Sequence, residues 1–278
     1  MRVLVVGCGD LGARIAKQLT ASGARFWGIR RNLSALPEAI EPIGLDLACA
    51  TSLPDMAFDY VVYSVSTDAS TPEAYEQAYC KNLERFLTLA ERLSHKPKHL
   101  IFVSSSSVYG QCDGEWVNEQ SPCEPQQFTG QIMLEAEAIA RKGFIPATVV
   151  RLAGLYDPKR PWLIRQVEQG AWVAQEPHNF ANRIHRDDAA GLISHLLMRH
   201  AKGLALEPTY IGVDNAPVNL YEVIEWLREA RGVTHKAQPL TRRAGSKRLS
   251  NKLARDSGWA LNYPSYKEGY AEAIKSGA

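Results

Sequence analysis

Short apolar runs alternate with amphipathic stretches along most of the chain, and this alternation predicts strands separated by helices. The first run, Val3–Val6, is apolar throughout and rich in valine, which favours a strand buried on both faces of a parallel sheet. Apolar residues then recur at helical spacing from Leu11 to Leu19, so a helix is predicted after the turn that ends this strand. Comparable runs predict five further strands, at Arg25–Ile29, Ile43–Leu45, Tyr60–Ser64, His99–Ser104 and Ala147–Arg151.

Two amphipathic stretches between these strands, Tyr75–Leu93 and Gly130–Arg141, predict long helices. Six strands alternating with helices predict an α/β fold built on a doubly wound parallel sheet, the Rossmann fold. After Arg151, prolines separate shorter elements, and helices are predicted at about Trp162–Gln169, Asp187–His200 and Leu220–Arg231. We therefore predict a dinucleotide-binding core over residues 1–151 and a smaller, mainly substrate-binding lobe over residues 152–278.

The composition excludes several classes of protein. A net charge of +2 and a pI near 8.2 are too mild for a nucleic-acid-binding protein. No apolar run approaches the roughly 18 residues of a membrane span, and the chain starts in a strand, so neither a membrane anchor nor a signal peptide is expected. The five cysteines are dispersed and show no CxxC spacing, which favours reduced thiols in a cytoplasmic protein and no bound metal.

The turn after the first strand has the GxGxxG pattern in Gly7-Cys8-Gly9-Asp10-Leu11-Gly12. Each glycine has a physical task in a dinucleotide site: Gly7 permits the tight turn, Gly9 lets the backbone approach a pyrophosphate, and Gly12 lets the helix pack closely on the strand. The N-terminus of the helix would present N–H groups and its positive dipole end to the phosphates. Cys8 is interpreted as a small buried filler and not as a nucleophile.

The end of the second strand predicts which dinucleotide is bound. A chain that selects NAD usually places an acid about 20 residues beyond the glycines, whereas an arginine there suits the 2′-phosphate of NADP. Arg30 and Arg31 occupy that place, so NADP is the predicted cofactor and NAD the alternative. Two solvated charges at a strand end would give the same pattern. Asp46-Leu47, at the end of the third strand, could meet the adenine.

From the glycine turn to the C-terminus the chain resembles the extended short-chain dehydrogenases/reductases, the NAD-dependent epimerase/dehydratase group. Ser104–Gly110 resembles the SS-x-x-VYG motif of that family, in which the serine four residues before the tyrosine is catalytic; here this is Ser105. The glycine turn departs from the GxxGxxG spacing of many members. Further similar segments, in chain order, are Asp46-Leu47, Asn82, Arg151–Tyr156, Arg183–Asp188 and Lys252–Gly269.

The resemblance implies roles for these segments. Asp46 would contact the adenine, Arg151–Tyr156 would border the nicotinamide, and Arg183–Asp188 would belong to a substrate lobe whose chain returns in part to the core. The cofactor set is expected to include, besides the glycine turn and the two arginines, Asp46, Leu47, Ser64, Ser104 and Met133. The resemblance also implies a homodimer that pairs through the two long helices.

One match fails. The family carries a YxxxK pair in which the tyrosine is the general acid/base and the lysine lowers its pKa. Alignment places Thr129 at the tyrosine and Met133 at the lysine, and neither side chain can perform these tasks. The chain therefore resembles atypical members that keep the fold and lose the pair.

The residues predicted to take part in catalysis are Ser105, Thr129, Tyr109 and His185. Each has a structural alternative: Ser105 could cap backbone groups at the strand end, Tyr109 could pack, and His185 could be a structural contact. Tyr156 could reach a substrate from its loop. Two acids on the second long helix, Glu135 and Glu137, are predicted to face solvent.

Two classes of function stay open. The first is an NAD(P)-dependent oxidoreductase or epimerase with a non-standard acid/base that acts on a sugar, nucleotide sugar or other small carbonyl or hydroxyl compound. The second is a catalytically silent dinucleotide-binding protein that reports cofactor state or binds a partner. The serine and RIHRDD segments favour the enzyme, because a sensor needs no substrate lobe, while the missing YxxxK pair favours the sensor.

Overall fold

The structure, a computed structural model, describes residues 1–34, 36–158, 162–240 and 246–275. Its strands, numbered along the chain, are β1 Arg2–Val6, β2 Arg25–Arg30, β3 Ile40–Gly44, β4 Tyr60–Tyr63, β5 His99–Ser105, β6 Asp113–Val117, β7 Ala147–Leu152, β8 Gly154–Tyr156, β9 Ala171–Trp172, β10 Phe180–Ala181, β11 Arg183–His185, β12 Thr209–Gly212, β13 Val218–Asn219, β14 Gln238–Pro239 and β15 Ser246–Leu249. Its α-helices are α1 Asp10–Thr20, α2 Pro72–Tyr75, α3 Asn82–Ala90, α4 Phe128–Lys142, α5 Trp162–Glu168, α6 Arg186–Ala201, α7 Leu220–Arg231, α8 Lys252–Asp256 and α9 Tyr266–Lys275.

A seven-stranded sheet in the order β12-β7-β5-β4-β1-β2-β3 confirms the predicted doubly wound α/β fold. Strands β1 to β5 pair in parallel, and the order reverses between β1 and β4. Ligands of such sheets bind outside the carboxyl ends of the strands at this reversal. The first strand lies inside the sheet, between β4 and β2, and its valines are fully buried, as the apolar run predicts.

Two details of the sheet correct the prediction. The strand β12 was not predicted, so the count of six strands was wrong; its run of four residues follows Pro208 and carries no periodic signal of its own. The strand β3 begins at Ile40, three residues before the predicted start at Ile43, and therefore includes Pro42. A proline is tolerated there because β3 is the edge strand of the sheet.

The helix predicted over Tyr75–Leu93 is not one regular α-helix. It consists of α2, a π-helical turn at Glu76–Lys81, and α3. Apolar spacing cannot distinguish this turn from α-helix, since one turn with a wider hydrogen-bond repeat changes the periodicity very little. The consequence is local: residues five apart, not four, come to share a face.

The chain folds as two compact units. Unit 1 comprises residues 1–108, 123–151 and 190–210, and contains most of the large sheet. Unit 2 comprises residues 109–122, 152–189 and 211–278, and an apolar cluster packs α5, α7 and α9 together through side chains such as Ile164, Val223 and Tyr270. None of the helices that the structure describes is both long and apolar enough to cross a bilayer.

Candidate dinucleotide and catalytic site

The glycine turn between β1 and α1 has the geometry that its sequence requires. Gly7 has φ of +76°, and a Cβ built on it would lie 2.5 Å from Cα of Val65. A Cβ on Gly12 would lie 2.7 Å from Cγ1 of Val5, so the helix packs against the strand at a distance that only glycine allows. At Gly9 a Cβ would meet no atom of the described residues closer than 4.0 Å, which leaves open space beside the backbone.

Cys8 fills the interior of the same turn. Its side chain is fully buried, and its Sγ lies 3.0 Å from the position that a Cβ would take on either Gly12 or Gly28. Burial raises the pKa of the thiol to about 11, so the sulfur stays protonated at neutral pH. The side chain therefore packs α1 against the sheet, and only its backbone is available to a ligand.

A cavity of about 440 Å³ in unit 1 opens in front of this turn, at the reversal of strand order. It is lined by the loops that follow four neighbouring strands. Of the residues predicted to bind the cofactor, the lining includes Gly7, Cys8, Gly9, Arg30, Arg31, Asp46 and Leu47. Asp10, Leu11 and Gly12 form the first turn of α1, and Ser64 follows β4 directly. Met133 is buried on α4, and Ser104 in β5; neither lines this cavity.

One side of the cavity is lined by both positively and negatively charged side chains. Arg31 donates through Nη2 to Oδ1 of Asp68 at 2.7 Å, and both side chains are largely exposed. Asp46 uses one carboxylate oxygen to accept from the backbone N–H of Ala48 at 3.0 Å. A phosphate at this end would compete with Asp68 for Arg31, and an exposed ion pair of this kind contributes at most about 1 kcal/mol.

The π-helical turn shapes the opposite wall. Gln77 and Asn82 both line the cavity, and Nε2 of Gln77 donates to Oδ1 of Asn82 at 2.8 Å. These residues are five apart and would not face each other in a regular α-helix. Gln77 was not predicted, because no signal in the sequence marks the π-turn.

At the end of β5, the Oγ of Ser105 accepts a hydrogen bond from the backbone N–H of Ser107 at 3.1 Å. The hydroxyl thus caps the strand end while its own proton stays available for donation. The start of α4 lies against this turn, because a Cβ on Gly130 would collide with the carbonyl oxygen of Ser107. Thr129, in the first turn of α4, is half-buried.

Glu137 corrects a prediction. It is 0% exposed and lies at the centre of a buried polar network, whereas Glu135 faces solvent as predicted. Arg151 donates to its two carboxylate oxygens, from Nε at 2.9 Å and from Nη2 at 2.7 Å. Ser104 donates from Oγ at 2.6 Å, and Arg141 from Nη1 at 3.1 Å. Ser104 is therefore tied to the carboxylate behind the strand end.

In unit 2, the predicted catalytic residues Tyr109 and His185 are both buried. His185 is 2% exposed, its ring lies 3.9 Å from that of Tyr263 between centroids, and its Nδ1 accepts from the backbone N–H of Asp187 at 3.2 Å. The backbone carbonyl of Tyr109 accepts from Nζ of Lys247. These contacts suit packing roles, the alternative that the sequence left open for both.

Tyr156 is also buried, and burial raises the pKa of its hydroxyl far above the ordinary value. A phenol in this state stays protonated near neutral pH and does not act as a general base. Asp214, which sequence reasoning missed, behaves differently: burial raises its pKa to about 7, and its Oδ2 has no hydrogen-bond partner among the described residues. Its position after β12 could not be recognised because that strand was not predicted.

The profile of the NAD dependent epimerase/dehydratase family matches residues 3–207. The chain is 28% identical over 218 residues to the protein YeeZ of Escherichia coli strain K12, a match that covers 73% of this chain and 74% of YeeZ. A solved structure from Methylobacillus flagellatus, provisionally designated an NAD-dependent epimerase/dehydratase, is 32% identical with a TM-score of 0.80 and covers 99% of this chain and 98% of its own.

Two more distant structures share the fold. UDP-glucuronic acid 4-epimerase from Bacillus cereus, solved with NAD, is 18% identical with a TM-score of 0.79, and 99% of each chain is covered. The human epimerase family protein SDR39U1, solved with NADPH, is 18% identical with a TM-score of 0.78 and the same coverage. From the profile match and the fold together, the chain belongs to the NAD dependent epimerase/dehydratase family.

Proposed function

We propose that the chain is a nicotinamide-dependent oxidoreductase or epimerase that binds NADPH in preference to NADH in the cavity of unit 1. Its substrate is a small hydroxyl or carbonyl compound, such as a sugar or nucleotide sugar. The observation that carries the proposal is the glycine turn, whose open backbone at Gly9 faces a cavity at the reversal of strand order.

The residues present fit a dinucleotide. The space beside Gly9 would admit a pyrophosphate, and the first turn of α1 supplies N–H groups without intrahelical partners and a positive dipole end. Asp46 and Leu47 also line the cavity, and we infer that they contact the adenine. When bound, the nicotinamide supplies the hydride chemistry, and the protein supplies binding, orientation and electrostatics.

The preference for NADPH rests on Arg30 and Arg31. Both line the cavity at the end of β2, where an acid would favour the ribose 2′-hydroxyl of NADH. Arg31 can exchange its exposed contact with Asp68 for a 2′-phosphate at low cost, since the phosphate offers stronger acceptors and a higher charge.

Ser105 is the residue we propose to contact the reacting oxygen. Its Oγ accepts from the backbone N–H of Ser107, which orients the lone pairs and leaves the hydroxyl proton for a substrate oxygen. Thr129 would pass a proton between that oxygen and solvent, because a hydroxyl can donate and accept at once although it has no accessible pKa. Proton transfer by this route is slower than through a tyrosine–lysine pair, so turnover should be low.

Replacement of the arginines tests the cofactor preference. The double variant Arg30→Ala/Arg31→Ala should weaken NADPH binding about tenfold or more, because one charge-assisted hydrogen bond is worth roughly 1.5 kcal/mol or more. NADH binding should change little. Arg25→Ala is the matched control, since Arg25 starts the same strand, is largely exposed and pairs with Glu41. Equal losses for both dinucleotides would refute the preference.

Single-turnover oxidation of bound NADPH across a panel of sugars, nucleotide sugars and small carbonyl compounds tests the chemistry. Ser105→Ala should abolish the reaction with the responsive substrate and leave NADPH affinity unchanged, because Ser105 does not line the cofactor cavity. Ser107→Ala is the control, since only its backbone N–H takes part in the contact. No oxidation with any compound, despite tight NADPH binding, would favour a catalytically silent dinucleotide-binding protein.

A further inference from the structure

A second cavity, of about 250 Å³, lies within unit 2. Its walls come from β8, the start of α5, β11 and α9, and most of the side chains that line it are apolar or aromatic. Trp162 and Leu155 form its exposed side, with 62% and 40% of their surfaces accessible. Exposed large apolar side chains beside a cavity are characteristic of a ligand site.

Among the residues that line this cavity, Arg183 carries a charge. The residue is 6% exposed, and its Nη1 is buried with no hydrogen-bond partner among the residues that the structure describes. Its guanidinium lies 5.4 Å from the ring centroid of Tyr266. A buried guanidinium with an unsatisfied donor costs free energy, unless a ligand supplies the missing acceptor.

The carboxyl group of Asp214 does not remove this need. Asp214 is joined to Arg183 through the backbone, where its N–H donates to the Arg183 carbonyl at 2.8 Å. Its Oδ1 accepts from the backbone N–H of Ala216, and no ion pair to Arg183 is found in the described part of the chain. Because burial raises the pKa of Asp214 to about 7, the carboxyl group is only partly ionised at neutral pH and compensates the guanidinium incompletely.

We propose that this cavity binds a compact organic anion, a planar ring carrying one carboxylate. The ring would pack against Trp162, Tyr156 and Tyr270, and the carboxylate would accept from Arg183, whose planar guanidinium matches two carboxylate oxygens. The volume lies below the roughly 300 Å³ at which pockets for drug-sized ligands begin, so a one-ring ligand fits better than a nucleotide.

This site goes beyond the proposed nicotinamide function, because all the residues that line it belong to unit 2 and none contributes to the dinucleotide cavity. The test therefore uses the full chain without dinucleotide. A result on NADPH binding leaves this proposal unchanged, and the converse also holds.

Benzoate is the probe, titrated by calorimetry. Benzamide, the neutral analogue of the same shape, and acetate, a carboxylate without a ring, are the comparison compounds. Benzoate should bind saturably and about tenfold or more tightly than either, since both the ring and the charge are engaged.

Variants assign the two parts of the contact. Arg183→Gln should abolish the advantage of benzoate over benzamide, and Trp162→Ala should weaken both. Arg165→Gln, an exposed arginine of α5 that does not line the cavity, should change nothing. Trp162 is so exposed that its replacement should not affect folding, so this variant gives a result even if Arg183→Gln does not fold.

The proposal is overturned if benzoate does not bind, if benzoate and benzamide bind equally, or if benzoate binding is unchanged in Trp162→Ala. It is equally overturned if a folded Arg183→Gln variant retains the preference for the anion.

Discussion

The buried carboxylate of Glu137 provides a sharp test of the packing behind the serine strand. Glu137→Gln keeps the shape of the side chain and removes its charge. Arg151, whose side chain is 6% exposed and donates to both carboxylate oxygens, would then hold a buried charge with one neutral acceptor. Breaking a buried ion pair by removing one partner typically costs about 3 to 5 kcal/mol. Ser104 and Arg141 lose a charged acceptor as well, so we expect a loss in this range.

The free energy of unfolding, measured by urea denaturation followed by circular dichroism, gives the loss directly. Glu135→Gln is the matched control, because Glu135 lies two residues away on the same helix and is exposed. Its effect should stay within about 0.5 kcal/mol. The double variant Glu137→Leu/Arg151→Met should recover most of the stability, since replacing both partners of a buried pair by apolar groups of similar volume is often neutral.

Equal unfolding free energies for Glu137→Gln and Glu135→Gln would refute this reasoning. So would a double variant less stable than Glu137→Gln alone, because the cost would then come from lost packing and not from an uncompensated charge.

Two further predictions concern stability. Gly7→Ala should destabilise the protein by well over the roughly 1 to 2 kcal/mol that a left-handed backbone costs a non-glycine residue, and it should abolish dinucleotide binding, because its Cβ would lie 2.5 Å from the backbone of Val65. Gly23→Ala is the control, since Gly23 has φ of +74° and a Cβ there would meet no described atom within 4 Å. In urea denaturation this control should show only the cost of the left-handed backbone. Burial lowers the pKa of His99 in the folded protein to about 4. As the pH falls below about 6.5, His99 therefore takes up a proton in the unfolded chain before it does so in the folded protein. The free energy of unfolding should fall between about pH 6.5 and pH 4, by up to about 3 kcal/mol. Between about pH 6.5 and pH 4, the free energy of unfolding should depend less on pH in His99→Gln than in the unmodified chain. In His235→Gln, which changes an exposed histidine, this pH dependence should stay the same. An equal pH dependence in the two variants would contradict the assignment to His99.

Elements with strong local signals were predicted well. The glycine turn and β1 follow from the apolar run and the glycine spacing, and α7 has the predicted bounds, Leu220–Arg231. Asn219 forms a capping box at its start, and Gly232 ends it in the left-handed conformation. Such caps act within a few residues and therefore leave a signal in the sequence.

The errors arose where distant residues decide the outcome. Glu137 looked like a surface acid, because its partner Arg151 lies on another element and spacing along α4 gives no sign of it. The strand β12 exists because it pairs at the edge of the sheet, and its run of four residues is too short to predict alone. Arg183 and Asp214 come together only after β11 and β12 are in place.

In the candidate site, too, the residues with local sequence signals were predicted and the others were not. Seven of the predicted cofactor residues meet in one cavity, since loops after neighbouring parallel strands necessarily share an edge of the sheet. Gln77 also lies there, but only through a π-turn that apolar periodicity does not reveal. The catalytic residues are harder to assign, because the family resemblance places Thr129 and Met133 where a tyrosine–lysine pair would identify the acid/base.

The most direct test of the central proposal is a side-by-side calorimetric titration of the purified chain with NADPH and NADH. We expect NADPH to bind at least about tenfold more tightly than NADH, because Arg30 and Arg31 line the cavity at the end of β2 and an arginine near that place suits a 2′-phosphate. A preference for NADH would contradict the role of the arginines while keeping the glycine turn as a dinucleotide site. Binding of neither would contradict the proposed function itself.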